Sequence, residues 1–167
     1  IAEVYVDSWR STYPGMLPTS VLVQLSKNAQ AQEWARVLGR RRFADSVVVA
    51  ELGNHGVIAV GSCGQARRTG LPHAGEIFTL YVAPEFQELG VGRALLLRLF
   101  DALIDRGLDS ALTWVLAQNP GRFFYEAMGA RRVAEREERL WSAQVPQVAY
   151  GWDDLRLVRA RRAEREE

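Results

Sequence analysis

Three groups of residues in this 167-residue chain are of a type and spacing to do chemistry. The first is Gln87-Glu88-Leu89-Gly90-Val91-Gly92, set between a strand pattern ending at Val82 and a helical pattern. The opening N–H groups of a helix have no intrahelical acceptor, and the helix dipole adds positive potential there. Gly90 and Gly92 lack a Cβ, so an anion such as a phosphate can approach the backbone. The loop lacks the third glycine of a dinucleotide fingerprint and the Lys-Ser/Thr ending of a nucleotide-triphosphate loop. By itself it reads equally as an ordinary strand-to-helix turn. The second is Glu76, a carboxylate in the otherwise apolar run Ile77, Phe78, Leu80, Tyr81 and Val82. Burial disfavours a charged carboxylate, which suits a general base. The alternative is a strand-end glutamate facing water or paired with an arginine. The third is Tyr125, whose phenol can donate a proton without being ionised at neutral pH. The alternative is a core aromatic beside Phe123 and Phe124.

The elements that must position these residues follow from periodicity. Residues 1–13 read as a helix with Ala2, Val4, Tyr5, Val6 and Trp9 on its apolar side, ended by Pro14-Gly15. Thr19 or Ser20 is placed to cap a short helix through Leu25. Asn28 is placed to cap another through Leu38, with Trp34, Val37 and Leu38 inward. The β-branched run 46–52 reads as a buried strand, followed by a Gly-Asn-His-Gly hairpin turn. Residues 57–66 read as its partner, with Gly61 and Gly64 hinting at a bulge or close packing. After a polar loop comes the strand 76–82, stopped by Pro84. The helix that follows carries Val91, Leu95, Leu96, Leu99, Phe100 and Leu103 on one side, and Gly107 is placed as its left-handed cap. Residues 110–117 read as a strand with Leu112, Trp114 and Leu116 on one face. Residues 120–128 read as a short helix stopped by Gly129, where Asn119 would be the cap and Pro120 the first position. Residues 131–141 alternate loosely, and 145–152 read as the last strand. This order gives an α/β domain, a mixed sheet with helices on both faces. We expect one domain over 1–158 and a charged C-terminal tail over 159–167, read as a frayed, solvated helix end.

Gln87-x-x-Gly90-x-Gly92 after Leu80-Tyr81-Val82-Ala83-Pro84 resembles the coenzyme A loop of the GNAT family of N-acetyltransferases, in its bacterial type. The segment Asn119-Pro120-Gly121-Arg122-Phe123-Phe124-Tyr125-Glu126-Ala127-Met128-Gly129-Ala130 resembles the family's second motif, with one residue fewer between asparagine and tyrosine. Residues 7–18 resemble its first helix and loop, and Ala149-Tyr150-Gly151-Trp152 its last strand. The resemblance implies a mostly antiparallel sheet whose middle strands splay apart, and a first strand that would precede Ile1. It implies acetyl-CoA as co-substrate, with the loop holding the pyrophosphate and the strand end bonding the pantetheine arm. The implied cofactor contacts are Val82, Gln87, Leu89, Gly90, Val91, Gly92, Arg93 and Asn119. Arg93 also reads as a plain surface arginine, and Glu88 departs from the basic residues common in this loop. The implied catalytic groups are Glu76 as base, acting through water, and Tyr125 as the acid that protonates the coenzyme sulfur. Glu76 lies six residues before Val82, ~20 Å along an extended strand, which is comparable to the reach of the arm. Trp9, Tyr13 and Tyr150 would bind the acceptor, or else simply pack.

The expected activity is transfer of an acetyl group to a primary amine by direct attack in a ternary complex. The alternative is a non-catalytic acyl-CoA-binding sensor or regulatory module. Composition fits either. With 21 basic and 20 acidic residues the net charge is +1, and nothing global points to nucleic acid or a membrane. Cys63 is the only cysteine, so no internal disulfide forms, which fits a reducing, cytoplasmic setting. His55 and His73 have no metal-ligand spacing, and no metal is expected. The partner is a small-molecule or protein amine, and a homodimer is compatible with the family.

Overall fold

The structure is a computed structural model and describes residues 1–39, 46–67, 70–140 and 143–163. Three helices come first: α1 (Ala2–Thr12), α2 (Thr19–Gln24) and α3 (Lys27–Gly39). The antiparallel pair β1 (Ser46–Leu52) and β2 (Gly56–Gln65) follows, then β3 (Gly75–Val82) and α4 (Val91–Ile104). β4 (Ala111–Leu116), α5 (Arg122–Ala127), β5 (Arg131–Leu140), β6 (Ala143–Trp152) and α6 (Leu155–Ala163) complete the described chain. Among the described residues the strands form one sheet in the order β1-β2-β3-β4-β6-β5. Only the β3–β4 pairing is parallel.

Each face of the sheet has its own apolar layer. On one face Leu96, Leu99, Phe100 and Leu103 of α4 are fully buried against Cys63, Ile77, Ala111 and Val148, with α5 and α6 closing the layer. Burying a leucine of this kind stabilises by ~1.5–3 kcal/mol. On the other face Val6 and Trp9 of α1 pack with Leu17, Leu22, Leu116 and Val145, and Trp34 of α3 packs with Val4, Val60 and Ala83. α4 lies so close to β2 that a Cβ on Gly61 would stand 2.7 Å from Leu99 Cδ1. This is the close packing that the glycine predicts.

The bulge hinted at by Gly61 and Gly64 exists, and its extra residue is on the partner strand. The β2–β3 register passes from Cys63↔Ile77 to Ser62↔Thr79, leaving Phe78 unpaired. Side-chain parity flips across it. Ile77 and Leu80 pack in the α4 layer, whereas Tyr81 packs in the α1 layer. A bulge bends its strand and strengthens its twist. Pairing of β3 with β4 accordingly stops at Ile77↔Thr113, one residue before the bulge.

Several local expectations are corrected. Ser26, not Asn28, caps α3, since its Oγ accepts the N–H of Ala29 at 3.3 Å. Neither Thr19 nor Ser20 caps α2, whose N-cap position is Pro18. Val37 and Leu38 are exposed, because α3 buries only Trp34. β1 is half-exposed rather than buried, and it pairs with β2 alone among the described residues. α5 starts at Arg122 rather than at Pro120. Asn119 makes a turn onto Gly121 N–H at 2.8 Å instead of capping a helix begun by proline. Apart from these corrections, Arg159, where the expected helix-end tail starts, lies in α6, with its Nε paired to Asp101 Oδ1 at 2.8 Å. Trp141 and residues 164–167 lie outside the described residues.

Candidate functional site

Beyond Ile77 and Thr113 the two strands part, and a cleft of about 950 Å³ opens between them. Phe78 to Val82 line one wall and Thr113 to Leu116 the other. Residues 78–82 span ~16 Å of extended strand. Ala83 N–H donates to Ile58 O at 2.9 Å, so one residue earlier both peptide groups of Val82 face away from β2, into the gap. The carbonyl of Val82 accepts Ser8 Oγ–H at 3.2 Å and Gln87 Nε2–H at 3.1 Å. Its N–H stays on the open edge.

The far end of this edge meets the start of α4. Gly90 sits in the left-handed region at φ +83°, and Glu88 just before it at +62°. The first α4 hydrogen bond runs from Ala94 N–H to Gly90 O at 3.0 Å. The amides of Val91 and Gly92 come before it and have no intrahelical acceptor. A Cβ on Gly92 would lie 3.5 Å from Val82 Cγ2, so the helix start abuts the strand end. A row of strand amides therefore leads directly to a helix N-terminus. This donor set fits a chain of amides followed by a diphosphate. Gln87, Gly90, Gly92 and Arg93 line the cleft, whereas Leu89 is 71% exposed beside it and its side chain contributes nothing. Gln87 has both its backbone and its side chain engaged within the loop. Its N–H donates to Pro84 O and its amide ties the loop to Val82.

Tyr125 stands in the gap, 8% exposed, with its hydroxyl on the Thr113 side of the cleft. Thr113 Oγ1 donates to Ile77 O at 3.1 Å, at the point where the strands separate. Burial pushes the Tyr125 phenol well above its ordinary value, so it stays protonated across the neutral range. Its ring is held edge-on by Phe124 and Trp152 at 5.3 and 6.0 Å. Trp9 and Tyr13 close the α1 side of the cleft, edge to face at 4.9 Å. The Tyr13 hydroxyl reaches Tyr81 and Asn119, which places Asn119 on the cleft too.

Two expected site residues stand elsewhere. Glu76 is 1% exposed and does not line the cleft. Its carboxylate accepts the backbone N–H of Arg67 at 3.0 Å, the Nε–H at 3.1 Å, and an Nη2–H. This is the arginine pairing that was the alternative to a base, with Arg67 as the arginine. Tyr150 is on the opposite face of the sheet from α1, and its hydroxyl donates to Glu126 Oε1 of α5 at 2.7 Å. It packs in the α4–α5 layer rather than against an acceptor. Ser8, Arg67, Tyr81 and Thr113 were not singled out from the sequence. A serine and a threonine at buried positions of apolar elements were the available signal.

The profile of the Acetyltransferase (GNAT) family matches residues 4–130, and the chain belongs to this family of acyl-CoA-dependent acetyltransferases. Over 159 residues it is 33% identical to "Uncharacterized N-acetyltransferase YuaI" of Bacillus subtilis (strain 168), covering 95% of this chain and 89% of that one. The fold is similar to that of the PaiA N-acetyltransferase from Thermoplasma acidophilum solved in complex with coenzyme A, with TM-score 0.59, 18% identity and 88% of each chain covered. It is also similar to the ribosomal-protein-alanine N-acetyltransferase from Brucella melitensis, with TM-score 0.63, 21% identity and 90% of each chain covered. No described helix is long and apolar enough to cross a membrane.

Proposed function

We propose that this protein moves an acetyl group from acetyl-CoA to a primary amine by direct attack within a ternary complex. One observation carries the reading: β3 and β4 part at Ile77↔Thr113, with Tyr125 beside the gap and the start of α4 at its end. The open edge of β3 takes the pantetheine arm as an added strand, and the amides of Val91 and Gly92 take the pyrophosphate. The Val82 N–H, facing the gap, donates to the thioester carbonyl as negative charge develops on it.

The amine attacks as its free base, since an ammonium has no lone pair. Its nitrogen bonds to the acetyl carbon, the C–S bond breaks, and the thiolate takes the Tyr125 proton. The nitrogen then gives up its surplus proton to solvent, and the phenolate recovers one. The net products are an amide and free coenzyme A. Tyr125 suits this step because its phenol is kept protonated by burial.

The test is thiol release from acetyl-CoA with a panel of amines, alongside calorimetry with acetyl-CoA alone. We expect amine-dependent release and a single binding event. Heat on binding with no release from any amine would overturn catalysis. Absence of both would overturn the site.

A further inference from the structure

At the acceptor end of the cleft the described lining residues offer hydrogen-bond donors and no accessible carboxylate. Among the described lining residues the charged ones are Arg67, Glu88 and Arg93. Glu88 and Arg93 belong to the loop and helix start. Arg67 is at the other end, its guanidinium 5.6 Å over the ring of Phe78 where the strands begin to separate. The carboxylate nearest to it, Glu76, is buried and committed to it. Glu138, at longer range from Arg67, is paired with Arg136 Nη2 at 2.9 Å. Glu76 grips the Nε and Nη2 edge of the guanidinium and leaves Nη1 with no partner among the described residues. Because that edge is fixed, the other edge has a fixed direction as well. Gln147 lines the same end, and its Oε1 is taken by Arg136 Nε at 3.0 Å, so what it presents is N–H. Trp114 completes the wall, and its buried indole N–H has no acceptor among the described residues.

Resting on the acetyl-transfer reading above, we propose that the acceptor is an α-amine whose neighbouring carbon bears a carboxylate or carbonyl oxygen. Arg67, oriented by Glu76, recognises that oxygen. The free edge of the guanidinium matches an oxygen-bearing group and repels a second ammonium. Deprotonation points the same way. The α-amine of a peptide terminus titrates at about 7.7–8.0 and a lysine-type amine at about 10.4, whereas the carboxylate of a free amino acid raises its amine above the terminal value. At pH 7.5 about a third of the first is free base, against about one in a thousand of the second. No carboxylate among the described lining residues at this end is placed to take the proton, so the amine that arrives already neutral is the one that reacts.

Thiol release by the full chain with acetyl-CoA is measured for L-alanine, L-alaninamide, a tripeptide with a free N-terminus, isopropylamine, spermidine, and a lysine peptide with a blocked N-terminus. We expect kcat/KM for the best of the first three to exceed that for each of the last three by at least about thirtyfold. A preference for alanine over the tripeptide identifies a free amino acid, and the reverse a chain terminus. Arg67→Lys keeps a cation for Glu76. It should raise KM for the preferred acceptor at least about tenfold and erase its advantage over isopropylamine, with acetyl-CoA affinity within threefold of wild type. Spermidine or the blocked lysine peptide as the better acceptor overturns the inference, as does an Arg67→Lys effect equal for all acceptors. Either result leaves acetyl transfer standing. No release with any amine overturns both.

Discussion

Replacing Tyr125 by phenylalanine isolates one hydroxyl. The ring keeps its neighbours, with Phe124, Trp152 and Tyr150 at centroid distances of 5.3, 6.0 and 6.5 Å. Thr113 keeps its bond to Ile77 O at 3.1 Å. What disappears is one O–H, so stability should change by no more than one hydrogen bond is worth, ~0.5–1.5 kcal/mol. Turnover should respond on a different scale. Loss of a positioned general acid costs ~10²–10⁴-fold, or ~2.7–5.5 kcal/mol of barrier. Steady-state thiol release at saturating amine reads kcat, and calorimetry reads acetyl-CoA affinity, expected within threefold of wild type. Urea denaturation provides the stability control. A kcat within fivefold of wild type, with affinity and stability unchanged, would remove Tyr125 from the proton path.

The remaining expectations concern backbone, packing and pH. Gly90→Ala places a side chain at φ +83° in open space, so its cost is conformational. It should lower stability by ~1–2 kcal/mol and weaken acetyl-CoA binding, both read by thermal shift with and without ligand. Gly61→Ala brings a methyl to 2.7 Å from Leu99 Cδ1 and should destabilise by ~1–3 kcal/mol in urea, with α4 displaced from β2. A destabilisation below half a kcal/mol would mean that α4 yields more easily than this packing implies. Burial raises Tyr5, Tyr81 and Tyr125 above the ordinary tyrosine value. Groups raised in the folded state stabilise fully below the unfolded value near 10, and that stability is lost as pH climbs through the folded values. The melting temperature should therefore be flat from pH 7 to 9 and fall above about 10, less steeply in Tyr81→Phe. An identical alkaline slope in that variant would exclude Tyr81 as a contributor.

The strand–loop–helix around Gly90 was legible because all its signals are local. An apolar run, a proline, two glycines and a helical period lie within thirty residues of one another. Exposure of β1 was not legible, since a β-branched run reads the same at the centre of a sheet and at its edge. Strand order decides between them. Glu76 was ambiguous for a related reason. A carboxylate in an apolar strand is equally a base or half of an ion pair, and its partner Arg67 becomes a neighbour only when the β2–β3 connection folds back. Tyr150 was ambiguous between acceptor wall and packing, because alternation along β6 sets Val148, Tyr150 and Trp152 on one face without saying which helices cover it. Ser8 meets Val82 across 74 residues of chain, and no local pattern signals that contact.

The parting of β3 from β4 also predicts how the molecule behaves when empty. Among the described residues, three strand pairs, Gly75↔Ala111 to Ile77↔Thr113, join the two halves of the sheet. Deuterium should reach the Val82 amide quickly in the bare protein, while Tyr81, locked to β2, exchanges slowly. A guest arm lying along that edge would knit the halves together and reverse the order of protection. The enzyme would thus become mechanically whole only while holding its co-substrate.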